Sequence, residues 1–371
     1  MNPNDMKLTT GSGNAAIANG SGTAANGNGA LANGAGANGN SGANGSSGAG
    51  VHNSSLEEVV AELRARAAFV MVSHVKPDGD TLGAGLALGL ALRSMGKRVH
   101  YFQQDPVPRN LRFLPDTERV ARDLPADLPA DALWVFCDMS DSSRAGEFLP
   151  ALENRNMLDI DHHLANSHFG AFNYILSEEC STGTVVLRIL NALGAEITPG
   201  IATCLLTTIM TDTGGFMHSN ASADVLRVSA QMIDLGADRE RITTEIFANK
   251  RYAATKLLGA ALANARLDDG GRYCWSAVDD AMLAEAEADS EDTEEIVQHL
   301  RNVEGVEVAA LYKSFGGEVR VSLRSNGRIN VQSAAGRLGG GGHFRASGLT
   351  YAGSLPAALE AVHAALVAEG L

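Results

Sequence analysis

Apolar residues occur along the chain in two patterns, short continuous runs and stripes at helical spacing. Leu56 to Ala67 carries a stripe and predicts a short amphipathic helix. Phe69-Val70-Met71-Val72-Ser73 is a run of strand length that delivers His74 at its end. Gly79 to Met95, rich in Leu, Ala and Gly, predicts a helix whose small residues let it lie close to a sheet. A second strand is expected at Arg98 to Gln103. A third, Leu133 to Cys137, ends on Asp138, and a fourth, Met157 to Ile160, ends on Asp161-His162-His163. Helices are expected near Ser181 to Leu193 and Ile201 to Met210. Strands alternating with helices imply an α/β fold with a mostly parallel sheet covered on both faces. Ligands of such sheets sit outside the carboxyl ends of the strands. The His and Asp clusters fall at those ends.

Asp234-Leu235-Gly236-Ala237-Asp238 reads as a helix stop, followed by a charged stretch to about Lys250. Beyond it, Val306 to Lys313 and Glu318 to Arg324 are strand candidates joined by a Gly316-Gly317 hairpin signal. A helix around Val331 to Leu338, the glycine run Gly339 to Gly342 and His343 come next. These elements predict a second, smaller α/β domain, with the active site in the cleft between the two. The expected organisation is a leader over 1–53, a catalytic domain over 54–236, a linker over 237–254 and a substrate-binding domain over 255–371. No internal repeat is visible.

Composition narrows the function. The leader is almost entirely Gly, Ala, Asn and Ser. Such a segment buries too little apolar surface to offset its ordering entropy, so disorder is expected. The net charge of −14 argues against a binder of long duplex nucleic acid, which normally presents a basic surface. Small anions held at one local site remain open. Cys137, Cys180, Cys204 and Cys274 are scattered without metal or disulfide spacing, which suits reduced thiols and a cytoplasmic protein. No apolar run is long enough to span a bilayer, and no secretory signal is apparent.

Four clusters carry the candidate chemistry. They are His74-Val75-Lys76-Pro77-Asp78-Gly79-Asp80, Asp138, Asp161-His162-His163, and Asp212-Thr213-Gly214-Gly215-Phe216. Imidazole and carboxylate together suit a mid-row divalent ion such as Mn²⁺. Asp138 has the position and the two oxygens needed to bridge two metals, which would activate water for in-line attack on phosphorus. Each residue alone has an ordinary explanation. His74 could be a hydrogen-bonded structural histidine, Asp78 and Asp80 helix caps, Asp138 and Asp161 strand ends, and Asp212 a turn residue. Taken together, those explanations crowd uncompensated carboxylates at one sheet edge, where mutual repulsion would raise their pKa values. Two bound divalent cations remove the conflict.

In these motifs and their order, the chain from Leu56 onward resembles the DHH phosphoesterase superfamily, within it the cytoplasmic nano-RNase/pAp-phosphatase branch. The resemblance implies that His74 and Asp78 hold one metal, that Asp80, His162 and Asp212 hold the second, and that Asp138 holds both. It makes His163, Asp138 and Asp161 the catalytic set, with His163 facing the phosphate and Asp161 orienting a histidine. Arg144, Arg324, Ser325, Gly340, Gly341, Gly342 and His343 are the implied substrate-binding residues. Physically, a glycine run exposes backbone N–H groups that cradle a phosphate, and Arg324 offers a planar fork. Five arginines and no acid between Arg320 and Arg345 make this stretch basic within an acidic chain. After the glycine-His motif the family usually continues with small residues, often Ala-Ala-Gly, whereas this chain has Phe344-Arg345-Ala346-Ser347-Gly348, which keeps the Gly348 position and puts Ser for Ala.

The leading expectation is hydrolysis of short oligoribonucleotides to mononucleotides, with removal of the 3′-phosphate of 3′-phosphoadenosine 5′-phosphate as a related activity. Alternatives are a cyclic-dinucleotide phosphodiesterase, a family-II pyrophosphatase and a catalytically silent nucleotide-binding regulator. The pyrophosphatase reading lacks its Ser-Arg-Lys type of motif. The regulator reading conflicts with a complete ligand set. Expected partners are short single-stranded RNA or small nucleotides, without membrane or long duplex, and a homodimer is left open.

Overall fold

The computed structural model describes residues 53–124, 126–147 and 156–371. The expected disordered leader, except Asn53, lies outside the described residues. The first helix, α1 (Leu56–Ala65), opens with a capping box: Ser55 Oγ accepts from Glu58 N–H while the Glu58 carboxylate accepts from Ser55 N–H. There follow β1 (Ala68–Val72), α2 (Gly79–Ser94), β2 (Arg98–Phe102), β3 (Val120–Ala121) and β4 (Leu133–Cys137). Next come β5 (Met157–Asp161), β6 (Phe172–Ile175), α3 (Thr182–Leu193) and α4 (Pro199–Asp212). The strands form one parallel sheet in the order β3-β2-β1-β4-β5-β6. That order reverses between β1 and β4, so a switch-point crevice opens beyond Val72 and Cys137. His74 and Asp138 lie just past those two residues.

Side-chain alternation sorts the strands onto two cores. Phe69, Met71, Leu133, Val135, Leu158 and Ile160 join the core built with α1 to α4. Val70, Val72, Trp134 and Phe136 pack on the other face with Met139, Ala145 and Phe169. β5 departs from an apolar pattern there, because Asp159 and Asp161 are both fully buried.

α2 meets α4 through glycine and threonine. A Cβ on Gly83 would come 2.7 Å from Thr208 Cγ2 and 2.9 Å from the Cys204 carbonyl oxygen. One on Gly183, in the first turn of α3, would come 1.8 Å from Thr208 Oγ1. This close approach sets Asp78 and Asp80, at the start of α2, beside Asp212, at the end of α4. A methyl at Gly183 must push the helices apart, so Gly183→Ala is expected to cost about 1–3 kcal/mol. A lowered denaturation midpoint checks this, and an unchanged midpoint contradicts it.

The chain continues through α5 (Ala223–Asp234), α6 (Arg239–Ile242), a π-helical turn over Thr243–Ala248 and α7 (Tyr252–Ala263). The stretch 237–254 therefore carries α6 and the π-helical turn. The second unit contains β7 (Arg266–Asp268), β8 (Tyr273–Asp279), α8 (Asp280–Ala286), α9 (Ile296–Arg301) and β9 (Val308–Phe315). It ends with β10 (Glu318–Ser325), α10 (Val331–Gly336), β11 (Gly341–His343), β12 (Ala346–Tyr351) and α11 (Leu355–Val367). Its sheet runs β11-β12-β10-β9-β8-β7, with β8 and β9 parallel and the other pairs antiparallel. Gly316 and Gly317, at φ +60° and +87°, make the tight turn expected between β9 and β10. Each face of this sheet carries its own apolar core, one including α10 and α11, the other α7 to α9. Among the described residues, no helix is long and apolar enough to cross a membrane.

Candidate metal centre and substrate cleft

The backbone fixes which nitrogen each candidate histidine offers. His74 Nδ1 lies 2.9 Å from the Val75 carbonyl oxygen, and His162 Nδ1 lies 3.2 Å from that of Glu179. With Nδ1 donating to a carbonyl, each ring turns its Nε2 lone pair toward the carboxylates. His74 Nε2 is buried without a hydrogen-bond partner among the described residues, an orphan that a cation would satisfy.

Asp138 stands between the two rings. Its Oδ2 is 3.4 Å from His74 Nε2, and its Oδ1 is 3.6 Å from His162 Nε2. Asp78 Oδ2 lies 3.7 Å from His74 Nε2. Asp80 Oδ2 and Asp212 Oδ2 lie 3.7 and 3.3 Å from His162 Nε2. Distances thus sort the six residues into two groups, His74, Asp78 and Asp138 on one side, and Asp80, His162 and Asp212 on the other. Within each group the ligand atoms lie within 4.8 Å of one another, a donor set that fits a divalent ion.

Local structure holds these carboxylates in place. Asp78 caps α2 through Oδ1, which accepts from the N–H groups of Asp80 and Thr81, leaving Oδ2 for His74. Its capping role and its place beside His74 coexist. Asp80 is clasped by the start of α3, its oxygens accepting from Thr182 N–H at 2.7 Å and Gly183 N–H at 3.1 Å. Thr182 Oγ1 donates to Asp138 Oδ1 at 3.1 Å. Asp138 itself sits at φ +64°, a region non-glycine residues seldom occupy, immediately past the end of β4. Strain of this kind persists where surrounding contacts over-determine it, and it clusters at functional sites.

Asp161 serves its two neighbours. Its Oδ1 accepts from His163 Nδ1–H at 2.5 Å and from His162 N–H at 2.8 Å. Its Oδ2 accepts from Asn166 Nδ2–H at 2.7 Å. The same amide reaches Asp159 Oδ2 at 2.9 Å and the Met139 carbonyl at 3.0 Å, tying this loop to the turn after Asp138.

Charge crowding is severe. Burial, followed by repulsion from Asp138 and Asp212, raises Asp80 well above the usual carboxylate range. Burial with repulsion from Asp138 and Asp78 does the same to Asp212. Burial would lift Asp138 too, but His74, His163 and His162 together hold it low. Burial would depress His74 and His163, yet Asp138 and Asp78 raise the first, and Asp161 and Asp138 the second. Arg144 acts on both rings in the opposite sense, which places it at this centre.

These shifts fix a pH dependence. An acid raised on folding destabilises the fold as pH climbs from about 4, its unfolded value, toward the raised one. A raised histidine contributes stability below its unfolded pKa and loses it as pH rises through the folded value. Asp138, held low, opposes both only at acid pH. The metal-free protein is therefore expected to melt at a higher temperature in mildly acidic than in neutral buffer, with Mn²⁺ closing the gap. Parallel melting curves with chelator and with Mn²⁺ check this, and a pH-independent metal-free Tm contradicts it.

Across the cleft, the second unit presents guanidinium groups. Arg345 Nη1 donates to Ser219 Oγ at 3.2 Å. The neighbouring His218 has Nδ1 3.2 Å from the Asp212 carbonyl, and burial together with the charges of Arg301, Arg324 and Arg345 lowers its pKa. Arg324 is half-buried, with Nη1 donating to the carbonyl of the preceding Leu323. Ser325 is also buried, and its hydroxyl accepts from Gly327 N–H. Gly342 takes φ +136°, and a Cβ there would meet the Ala346 carbonyl at 2.6 Å. A Cβ on Gly340 would meet the Gly348 carbonyl at 2.3 Å, whereas Gly341 faces open space. The His343 side chain lies outside the described residues.

The sequence matches two family models, the DHH family N-terminal domain over residues 68–209 and the DHHA1 domain over residues 270–368. A Thermus thermophilus protein described as bifunctional oligoribonuclease and PAP phosphatase NrnA is 35% identical over 76% of this chain and 84% of its own. The chain belongs to the DHH family. It is an NrnA-like member carrying both DHH and DHHA1 domains. A Bacillus subtilis relative of the same description is 22% identical over 78% of this chain and 91% of its own. A solved Bacteroides fragilis exopolyphosphatase-related protein shares the fold, with TM-score 0.78 and 24% identity over 84% of this chain and 95% of that one.

Sequence reading passed over several residues of this DHH protein that the structure brings to the centre. Thr182 and Gly183 hold Asp80, and a signal existed in Ser181-Thr182-Gly183-Thr184, a capped helix start free for an anion. Asn166 holds Asp161 and left no such signal. His218 faces the cleft from beside Asp212, and Arg301 and Arg345 face it from the DHHA1 side; of the three, sequence marked only Arg345, as the last arginine of a basic stretch.

Proposed function

We propose that this DHH protein is a two-metal phosphoesterase, most active with Mn²⁺, that hydrolyses short oligoribonucleotides to mononucleotides and removes the 3′-phosphate of 3′-phosphoadenosine 5′-phosphate. One observation carries the reading: the Asp138 carboxylate is shared between two imidazole groups, one oxygen to each. His74, Asp78 and Asp138 would hold one ion, and Asp80, His162, Asp212 and Asp138 the other. When bound, the ions supply Lewis acidity that makes water nucleophilic near neutral pH and offsets charge on phosphoryl oxygens.

The remaining roles belong to the chain. His163, whose pKa Asp161 and Asp138 raise against the opposing effect of burial, can present positive charge where negative charge grows on the phosphate and give its proton to the leaving oxygen. Asp161 positions that ring and the His162 backbone together. Arg144, beside both histidines, adds a fixed cation. Arg324 and the glycine run Gly340 to Gly342, with His343, bind the substrate from the DHHA1 side. An overall charge of −14 disfavours long polyanions, which favours short substrates held at one local site. The relatives described as oligoribonuclease and PAP phosphatase support the same substrates.

The deciding assay offers linear RNAs from dimers to decamers, 3′-phosphoadenosine 5′-phosphate and cyclic di-AMP to the Mn²⁺-loaded protein. The dimer and the bisphosphate are expected to turn over fastest, and cyclic di-AMP slowly. If dimer and bisphosphate both stay intact, the reading fails.

A further inference from the structure

The DHHA1 side of the cleft holds more positive charge than one attacked phosphate requires. Three arginines converge there from separate elements. Arg324 lies near the end of β10, Arg345 just before β12, and Arg301 at the end of α9. Two hydrogen bonds from the residues that follow Arg324 tie these elements together. The N–H of Ser325, next to Arg324, donates to the Arg345 carbonyl at 2.9 Å. Asn326 Nδ2 donates to the Arg301 carbonyl at 2.8 Å.

Among the described residues none of the three forms an ion pair, although the chain carries a large excess of acid. The acid acting on Arg324, Glu294, is itself 3.2 Å from Lys313. Arg301 meets the neutral amide of Gln298, and burial together with the nearby Arg345 charge depresses its guanidinium. Like charges held this close without acid are stabilised by an incoming anion. The location matters as much as the charge. Arg345 bonds Ser219, and the adjoining His218 ring bonds the Asp212 carbonyl, so the cluster abuts the candidate metal centre. Phe344, 44% exposed, stands beside Arg345 and offers a face for a base.

We propose that Arg301 and Arg345 form a second phosphate subsite, which takes a terminal phosphate of the substrate while the scissile one lies at the Asp138 centre. The inference rests on the phosphoesterase reading and narrows it: preferred substrates carry a phosphate besides the one attacked.

The test compares pApA with ApA on two readouts, binding to the metal-free protein by calorimetry and kcat/KM with Mn²⁺. The terminal phosphate is expected to favour pApA by about 10- to 100-fold in both, the range of charge-assisted hydrogen bonds to a phosphate. Arg345→Ala and Arg301→Ala should each shrink that ratio about tenfold, and Arg345→Lys should keep most of it. Ser219→Ala removes the bond across the cleft without removing charge and should leave the ratio intact. Equal binding of pApA and ApA, or a ratio untouched by both alanine variants, overturns the subsite. Collapse of the ratio in Ser219→Ala also overturns it, in favour of a latch between the domains. Preference retained in binding with no turnover of either dinucleotide supports the subsite and instead sinks the phosphoesterase reading.

Discussion

Asp138→Asn is expected to abolish most turnover and to lower bound metal at both groups, while the fold survives. The carboxylate faces three imidazoles, with Oδ2 at 3.4 Å from His74 Nε2 and Oδ1 at 3.6 and 3.5 Å from His162 Nε2 and His163 Nδ1. Removing one member of a buried charged set costs about 3–5 kcal/mol, which is about 10²–10⁴-fold in rate if it acts on the transition state. Asparagine is the informative replacement because it keeps the shape and tolerates φ near +64° better than most residues. Asp138→Ala should add backbone strain to the same chemical loss and melt lower. Metal content per chain, kcat and melting temperature measured on both variants separate the effects. Wild-type metal content together with wild-type turnover in Asp138→Asn would refute the bridging role.

Strand ends were legible because runs such as Leu133 to Cys137 are apolar on both faces, and the polar residue that follows must lie at the sheet edge. That logic placed His74, Asp138 and the Asp161-His162-His163 tripeptide correctly at carboxyl ends. Short edge strands such as Phe172–Ile175 escaped notice, since four residues, one of them the buried Asn173, carry little periodicity. β8, β12 and α11 were likewise missed, because the second sheet mixes one parallel pair with antiparallel ones and no single period marks it.

What stayed hidden at the site was non-local. Asp80 bonds Thr182 and Gly183 about a hundred positions away, and only the fold relates them. The left-handed backbone at Asp138 is imposed by tertiary contacts rather than by local preference. Arg301 looks like an ordinary solvated charge, and Arg345 like no more than the last arginine of a basic stretch, until β10, β12 and α9 bring them together. Asp159 shows a related limit. Expected only as part of a strand, it is fully buried, raised well above the usual carboxylate range by burial and by Asp161, and bonded to Asn166.

The two histidines of the tripeptide should fail in different ways. His162 turns Nε2 toward Asp80, Asp138 and Asp212, all within 3.7 Å, while its Nδ1 faces a backbone carbonyl. His162→Ala therefore removes a ligand atom, and Mn²⁺ occupancy should fall with activity. His163 is arranged differently. Its Nδ1 is bound to Asp161 at 2.5 Å, and Asp161 and Asp138 raise its pKa against the effect of burial, favouring the charged ring. His163→Ala should keep metal occupancy near that of the parent protein and lower kcat by about 10²–10⁴-fold, the usual contribution of a positioned acid or charge stabiliser. KM should change little, because the lost interaction strengthens as negative charge develops on the phosphate. Elemental analysis for manganese beside steady-state kinetics distinguishes the two variants. Equal metal loss in both would place His163 among the ligands. Full turnover in His163→Ala would remove it from the chemistry and leave Arg144 as the cation facing the phosphate.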